Sequence, residues 1–455
     1  MHRHIRFTKA AGWLLALFGT TNLLSAENPL SLNLGAGVSI IDSITYYNLY
    51  SRPTFTSDAF GTELYLNLLL SQEGQIRKQD LNWKNIVQDV RLGNPGENFY
   101  SKFGNISGHT SGFLGMIVSG YGNQYDENNR LSGLYMSMGK KSWPLEIYGV
   151  SGDYSFKSLV SAEATLYLPL LFKREEGKQQ EAVPVLGLSY AADHNSDAQD
   201  TIKSPYDITE AYGAHLAQPF IAEHSTFILL VEGAKMPRHG QGYIGAVLYN
   251  YKITGTETFY YEGYDEYGEY QYGTYEEPVT IVSVDAAAAM VRLSKGFEMG
   301  FFDQFYERDK RLYGKMGLTK AQALDSLYPE DRYGTYVTAG LGIKNFSLSG
   351  SYFSDKDYGV DVALSSSFFI ARSEGLPHFY AEASLNKIRM PFDDIPDKVF
   401  ALDDRALASA SVFYGINRFT GIILSFQWTY VYDSTSGGFV TQQRITPSIY
   451  MEQEF

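Results

Sequence analysis

The sequence predicts an all-β protein, a single large antiparallel transmembrane β-barrel of roughly 20 strands within a range of about 16–22. Three observations carry this expectation. The chain opens on an export signal, its segments alternate polar and apolar residues, and the apolar faces end in aromatic rings. Past the signal no stretch offers 18 consecutive apolar residues, so a membrane would have to be crossed by strands.

Residues 1–26, "MHRHIRFTKAAGWLLALFGTTNLLSA", read as a signal peptide: Arg3, Arg6 and Lys9 lead, an apolar stretch follows, and Ser25 and Ala26 precede the expected cut. Residues 27–455 are then one barrel unit with long extracellular loops. Among 455 residues there are 36 Tyr, 28 Phe and 43 Gly, a composition that favours strands and turns. The absence of Cys excludes disulfides, thiol catalysis and Cys-based zinc sites. Loss of the three signal-peptide bases takes the net charge from −14 to −17, which disfavours nucleic acid as a partner.

Period-two alternation places residues i and i+2 on one face of a strand. In "ELYLNLLLS", Leu64, Leu66, Leu68 and Leu70 oppose Glu63, Tyr65, Asn67 and Ser71. Val160, Ala162, Ala164 and Leu166 oppose Ser161, Glu163 and Thr165. Val360, Val362, Leu364, Phe368 and Ile370 oppose Asp361, Ser365 and Ser367. Phe379, Ala381, Ala383 and Leu385 oppose Tyr380, Glu382, Ser384 and Asn386. Ile422, Leu424, Phe426, Trp428, Tyr430 and Tyr432 oppose Ser425, Gln427 and Thr429. A soluble sandwich also alternates. The aromatic ends of the apolar faces decide for a barrel with a lipid-facing band between girdles.

The last segment, "RITPSIYMEQEF", sets Ile445, Ile449, Met451 and Phe455 against Arg444, Thr446, Ser448, Tyr450, Glu452 and Glu454. An amphipathic final strand closed by Phe455 resembles the assembly signal of Gram-negative outer-membrane β-barrel proteins, although Gln453 replaces an apolar residue of that pattern. The segments "NFYSKFGNISGHTSGFLGMIVSGYGN" and "KGFEMGFFDQFYERDKR" resemble parts of porin-like bacterial outer-membrane barrels, over most of the mature chain. The resemblance implies a bacterial outer-membrane location, contact with outer-membrane lipid and lipopolysaccharide, and insertion by the barrel-assembly machinery. It brings no activity with it.

Connections should alternate between short periplasmic turns and long outer loops. Twenty-two candidate strands fit, among them 84–92, 111–120 and 280–305. Two of the twenty-two come from the Tyr-rich, acidic string "EGYDEYGEYQYGTYEEP", Glu262 to Pro278, which fits parity as a hairpin, 256–264 with 269–277, crowned by an extracellular turn. Such a barrel is too wide for side chains alone to fill.

If the alternation holds, the lumen is lined by Glu63, Asn67, Glu163, Asp285, Asp361, Glu382, Asn386, Gln427, Arg444 and Glu452. Acids outnumber bases in this set. The expected function is a channel for small hydrophilic solutes with a preference for cations. The alternative is a non-transport surface barrel, an adhesin or structural protein, binding partners through the Tyr-rich and acidic loops.

Enzymatic chemistry is not expected. Ser107, His109 and Ser111 alternate in "NISGHTSGF" but lack an orienting acid and an oxyanion hole in the sequence. "DHNSDAQD" opens like a calcium loop at Asp193, Asn195 and Asp197, then departs at Ala198 and Ser204. Asp393, Asp394, Asp397, Asp403 and Asp404 read as a solvated acidic loop, with weak cation or lipopolysaccharide bridging the sharper alternative. "LTKAQALDSLYPED" reads as a short helix capped by Thr319, either folded into the lumen or lying over it. No cofactor and no metal are expected.

Overall fold

The computed structural model describes residues 30–57, 59–81, 83–123, 131–139, 143–156, 158–168, 183–194, 209–264, 270–309, 320–355, 359–370, 379–417, 420–433 and 438–454. The signal-peptide expectation at 1–26 and Phe455 lie outside them.

Twenty strands close one antiparallel barrel. In chain order they are β1 Leu30–Ile41, β2 Ile44–Thr56, β3 (broken into Phe60–Leu64 and Leu66–Ser71), β4 Val87–Leu92, β5 Phe99–Gly104, β6 Gly133–Met138, β7 Leu145–Ser151, β8 Leu159–Tyr167, β9 Val185–Asp193, β10 Thr209–Ile221, β11 Ser225–Met236, β12 Gly240–Tyr264, β13 Tyr270–Leu293, β14 Arg332–Ile343, β15 Phe346–Asp355, β16 Gly359–Ile370, β17 Phe379–Met390, β18 Ala406–Gly415, β19 Thr420–Asp433 and β20 Gly438–Glu454. Each pairs with its sequence neighbour, and β20 returns to β1 with Ser31 opposite Glu454 and Ile41 opposite Arg444. Closure leaves no open edge around the barrel wall, the condition for a β-structure to sit in lipid. Twenty strands spaced ~4.8 Å apart and tilted ~40° give a diameter of roughly 40 Å.

Both chain ends lie on one rim. The connections on that rim include 222–224 and 344–345; those on the opposite rim include 105–132, 294–331 and 391–405. The two-residue turn between β1 and β2 is also on the opposite rim. There Asp42 and Ser43 take φ of 48° and 70°, the left-handed pair that two-residue hairpins require.

Alternation builds the outer surface. Leu216, Leu229, Val231, Met290, Leu348, Leu424 and Ile449 point outward and are exposed. Phe220, Phe227, Phe346, Phe368 and Tyr414 border this belt on the rim of the termini, and Tyr47, Tyr212, Tyr243 and Tyr333 border it on the other. Eight to ten residues separate the two girdles along a strand, roughly 27–33 Å at ~3.3 Å per residue and roughly 20–25 Å once tilted. That height matches the apolar band of an outer-membrane barrel.

Three readings of the chain are corrected. Residues 111–120 are not a wall strand; they fold into the barrel. Ile44–Thr56, unassigned in the sequence reading, is β2. The Tyr-rich string adds no strands: β12 and β13 run unbroken through it, paired from Gly242–Leu293 to Tyr264–Tyr270, with one register shift at Ile253/Thr254. The neighbouring strands stop earlier, at Ser225 opposite Tyr251 and at Val282 opposite Ile343. Beyond them 253–264 and 270–281 continue as a two-stranded ribbon, roughly 40 Å long at ~3.3 Å per residue. The ribbon leaves the barrel on the rim of the termini, so it crowns no outer loop.

Candidate functional site

The functional region is the barrel interior, because 105–123, 294–309 and 320–331, on the connections of the rim opposite the termini, turn inward. His109–Ser111, Val118–Tyr121 and Phe302–Asp303 form a small three-stranded sheet, in which Phe302 pairs parallel with Val118. Helix α1, Tyr306–Asp309, and helix α2, Lys320–Leu327, follow. Met116, Ile117, Val118, Tyr121, Phe297, Phe301, Phe302, Tyr306 and Leu324 are all buried within one apolar cluster. Against them pack inner-wall residues that include Ala191, Ala211, Ala217, Leu230, Ala234, Ile244, Ala246, Ala289, Val291 and Phe353.

Small wall residues make room for this packing. A Cβ on Gly242 would lie 2.6 Å from Met116 Cε and 2.7 Å from a Phe297 ring carbon, so a larger residue there would force those two side chains to shift. The run Ala286–Ala289 in β13 works in the same way, with Ala287 and Ala289 facing in.

Polar contacts fix the segments to the wall. On one side Glu163 of β8 accepts hydrogen bonds from Ser111 Oγ at 2.9 Å and from the Gly112 amide at 2.6 Å. Gly112 sits at φ 82°, which lets its amide turn toward that carboxylate. Glu232 of β11 accepts from the amides of Leu114, at 3.0 Å, and Met116, at 3.2 Å. His109 Nε2 lies 3.3 Å from Ser161 Oγ, and burial lowers the His109 imidazole to a pKa of about 4. Tyr306 donates to Asp193 at 2.9 Å, and Tyr121 donates to Glu307 at 2.6 Å. Burial first, and the nearby carboxylates second, push both phenols well above the usual tyrosine range.

On the other side a charged cluster forms. Lys320, fully buried at the start of α2, bonds Asp303 at 2.9 Å, Glu298 at 3.2 Å and the Phe301 carbonyl at 2.6 Å. Arg389 of β17 donates to Asp309 at 2.9 Å and Glu298 at 3.2 Å. Burial pushes Asp303 upward against the pull of Lys320 and Arg389, the direction that balances three acids against two bases. Arg332 pairs with Asp355 at 2.6 Å, donates to the Phe297 carbonyl, and stacks 3.7 Å from the Tyr328 ring centroid.

The residues expected to line the lumen fall into three groups. Asp285, Glu382 and Gln427 are exposed, with Asn250 donating to Asp285 and Ser411 donating to Glu382 at 2.9 Å. Glu63, Asp361, Asn386 and Arg444 are half-buried; Glu63 pairs with Arg52 at 2.6 Å, and Asp361 accepts the Arg389 amide at 2.8 Å. Asn67 and Glu163 are buried, Glu163 beneath the in-folded segment. Glu452 lies in β20, opposite Asn33 of β1, and its side chain is outside the described residues. Towards the rim of the termini the inner wall is lined by serines. Ser347 meets Ser367 at 2.7 Å, Ser349 meets Ser365 at 2.6 Å and Ser384 meets Ser409 at 2.8 Å.

The remaining motifs resolve more simply. Ser107 is exposed, whereas His109 and Ser111 serve as anchors. Asn195 and Asp197 lie outside the described residues. Asp394 pairs with Lys398 at 2.8 Å, and Asp403 with Lys387 at 3.0 Å. The predicted helix is α2; it packs inside the barrel, and Thr319 lies outside the described residues. Among the described residues no group of three or more His, Cys, Asp or Glu is placed to hold a metal ion. The residues missed from sequence are Glu232, Glu298, Asp309, Lys320, Arg332 and Arg389. Only Glu298, in "GFEMGFF", carried a signal, an isolated charge in an aromatic, glycine-rich stretch.

A closed barrel with an apolar belt between aromatic girdles and a polar, partly filled interior defines a transmembrane β-barrel of the outer-membrane type. No protein-family model and no curated protein matches the sequence. Several solved structures are similar to it. Pseudomonas aeruginosa OccK2 (OpdF), in complex with glucuronate, is 10% identical with a TM-score of 0.32, over 93% of this chain and 98% of that one. Pseudomonas aeruginosa OprD is 11% identical with a TM-score of 0.33, over 94% and 95%. The siderophore receptor PirA from Acinetobacter baumannii is 8% identical with a TM-score of 0.35, over 94% and 81%.

Proposed function

We propose that this protein is an outer-membrane channel for small hydrophilic solutes, with the in-folded segments as its constriction. The observation that carries the reading is the contrast between the two parts of the inner wall. One part is covered by 105–123, 294–309 and 320–328, and the part lined by Ser347, Ser349, Ser365 and Ser409 is exposed and hydroxyl-rich. A hydrated wall of neutral hydroxyls solvates a polar solute without trapping it.

Cation preference is the finer part of the proposal. Asp285 and Glu382 are exposed, and the donors that hold them, Asn250 and Ser411, are neutral, so among the described residues no base offsets their charge at contact distance. Glu163 and Glu232 likewise accept from Ser111 and from backbone amides. Glu63 is the contrary case, because Arg52 neutralises it.

The test is single-channel recording of purified protein in planar bilayers under a salt gradient. Stepwise openings with a cation-selective reversal potential are expected. Anion selectivity would overturn the charge reading, and a silent barrel would overturn the channel.

A further inference from the structure

Beneath the tip of the in-folded segment 109–116 lies a recess of about 460 Å³ between that tip and the inner wall of β7–β11. Phe113 roofs it, with its ring edge-on to His215 at 5.1 Å and 86°. Glu163 sits at the roofed end, already tied to Ser111 and Gly112. Glu146, Tyr148 and Tyr167 form one side, and Tyr167 donates its hydroxyl to Glu146 at 3.0 Å. Among the described residues no Lys or Arg lines the recess.

We infer that this recess is a subsite for small organic cations, protonated amines carrying an apolar body. Three aromatic rings and an apolar floor that includes Val185, Ala217 and Ile228 desolvate a hydrocarbon body. Two carboxylates and the ring faces favour an ammonium group. An anion of the same shape would meet Glu146 and Glu163 with no Lys or Arg among the described lining residues to compensate. The volume suits one small molecule rather than a chain. The recess lies on the side of the tip nearer the rim of the termini, since Tyr167, Pro219 and Thr226 all stand near the ends of their strands on that rim. A solute moving inward would meet it after the constriction; that placement in transit, and only that, rests on the channel reading.

The test is calorimetric titration of the detergent-solubilised full chain with phenethylammonium and, separately, with phenylacetate, its approximate isostere of opposite charge. Phenethylammonium should bind at least tenfold more tightly. Glu146→Gln keeps the shape and the acceptor for Tyr167 while removing one charge, and should weaken the amine about tenfold. Phe113→Leu should also weaken it. Unchanged amide exchange at Leu114 and Met116 in both variants would show that the tip stays docked. Equal affinity for the two probes, or an amine affinity indifferent to Glu146→Gln, overturns the inference. Binding needs no membrane, so the two readings fail separately. A barrel that binds the amine and carries no current keeps the subsite and loses the channel, whereas one that conducts and ignores the amine does the reverse.

Discussion

Arg389 and Asp309 meet at 2.9 Å across the barrel interior, joining wall strand β17 to helix α1 of the in-folded segment. Asp309 is buried and accepts a charge-assisted bond, and the neighbouring Glu298 shares the same guanidinium. Replacing Arg389 with Met removes the donor and leaves both carboxylates in place. About 3 kcal/mol of local stability should be lost, the usual cost of breaking a buried pair from one side. In planar bilayers Arg389→Met should give larger and noisier unitary currents than the parent. Unaltered current amplitude would mean that this segment does not set the constriction.

Glu232 offers a cleaner probe of the opposite anchor. Its carboxylate accepts the Leu114 and Met116 amides together. Glu232→Gln retains only one acceptor oxygen, so one amide loses its partner, at about 1–3 kcal/mol. Hydrogen exchange at Leu114 and Met116 should then accelerate on the order of ten- to a hundredfold. Exchange in the β12–β13 wall should not change.

His109 makes docking of the tip depend on pH. Burial holds its pKa at about 4, below the ordinary 6.5. The docked imidazole is therefore neutral through the interval in which a solvated one takes up a proton. The stabilisation is fully present above about 6.5 and is lost as pH falls from there through about 4. An imidazole titration followed by NMR should place the His109 midpoint near 4. A midpoint near 6.5 would mean that the ring is solvated.

The ribbon of β12 and β13 should be dispensable to the barrel. Its strands lose their outer neighbours beyond Tyr251 and Val282. Replacing 256–277 with Asn-Gly should preserve heat-modifiable electrophoretic migration and unitary conductance, because all twenty wall pairings remain. Failure to insert would give the ribbon a role in assembly.

The barrel itself was legible because alternation is a local property. Ser161, Glu163 and Thr165 lie inward, as their spacing requires. The strand number agrees through offsetting errors. Ile44–Thr56 was missed because Tyr46 and Tyr50 on one face meet Tyr47 and Leu49 on the other, which hides polarity contrast. The Tyr-rich string counted as two strands because its tyrosines mark β-propensity well and strand ends badly. Residues 111–120 counted as a wall strand because an apolar run bounded by glycines does not reveal whether it faces lipid or a lumen. The interior site was largely hidden. Glu232 and Met116 are 116 positions apart, and no periodicity encodes such a contact. Within the two stretches that resembled outer-membrane barrels, residues 105–123 and 295–309 are nevertheless the ones that reach inside.

Strands β8 and β17 stand nine apart in a ring of twenty, almost opposite one another. Glu163 on the first and Arg389 on the second hold the two ends of one packed unit. In mechanical terms that unit is a strut laid along a diameter of a thin-walled hoop. A hoop braced in this way resists flattening along the strut and stays compliant at right angles to it. Lateral pressure from the bilayer would therefore deform this barrel anisotropically, with the braced axis keeping its width.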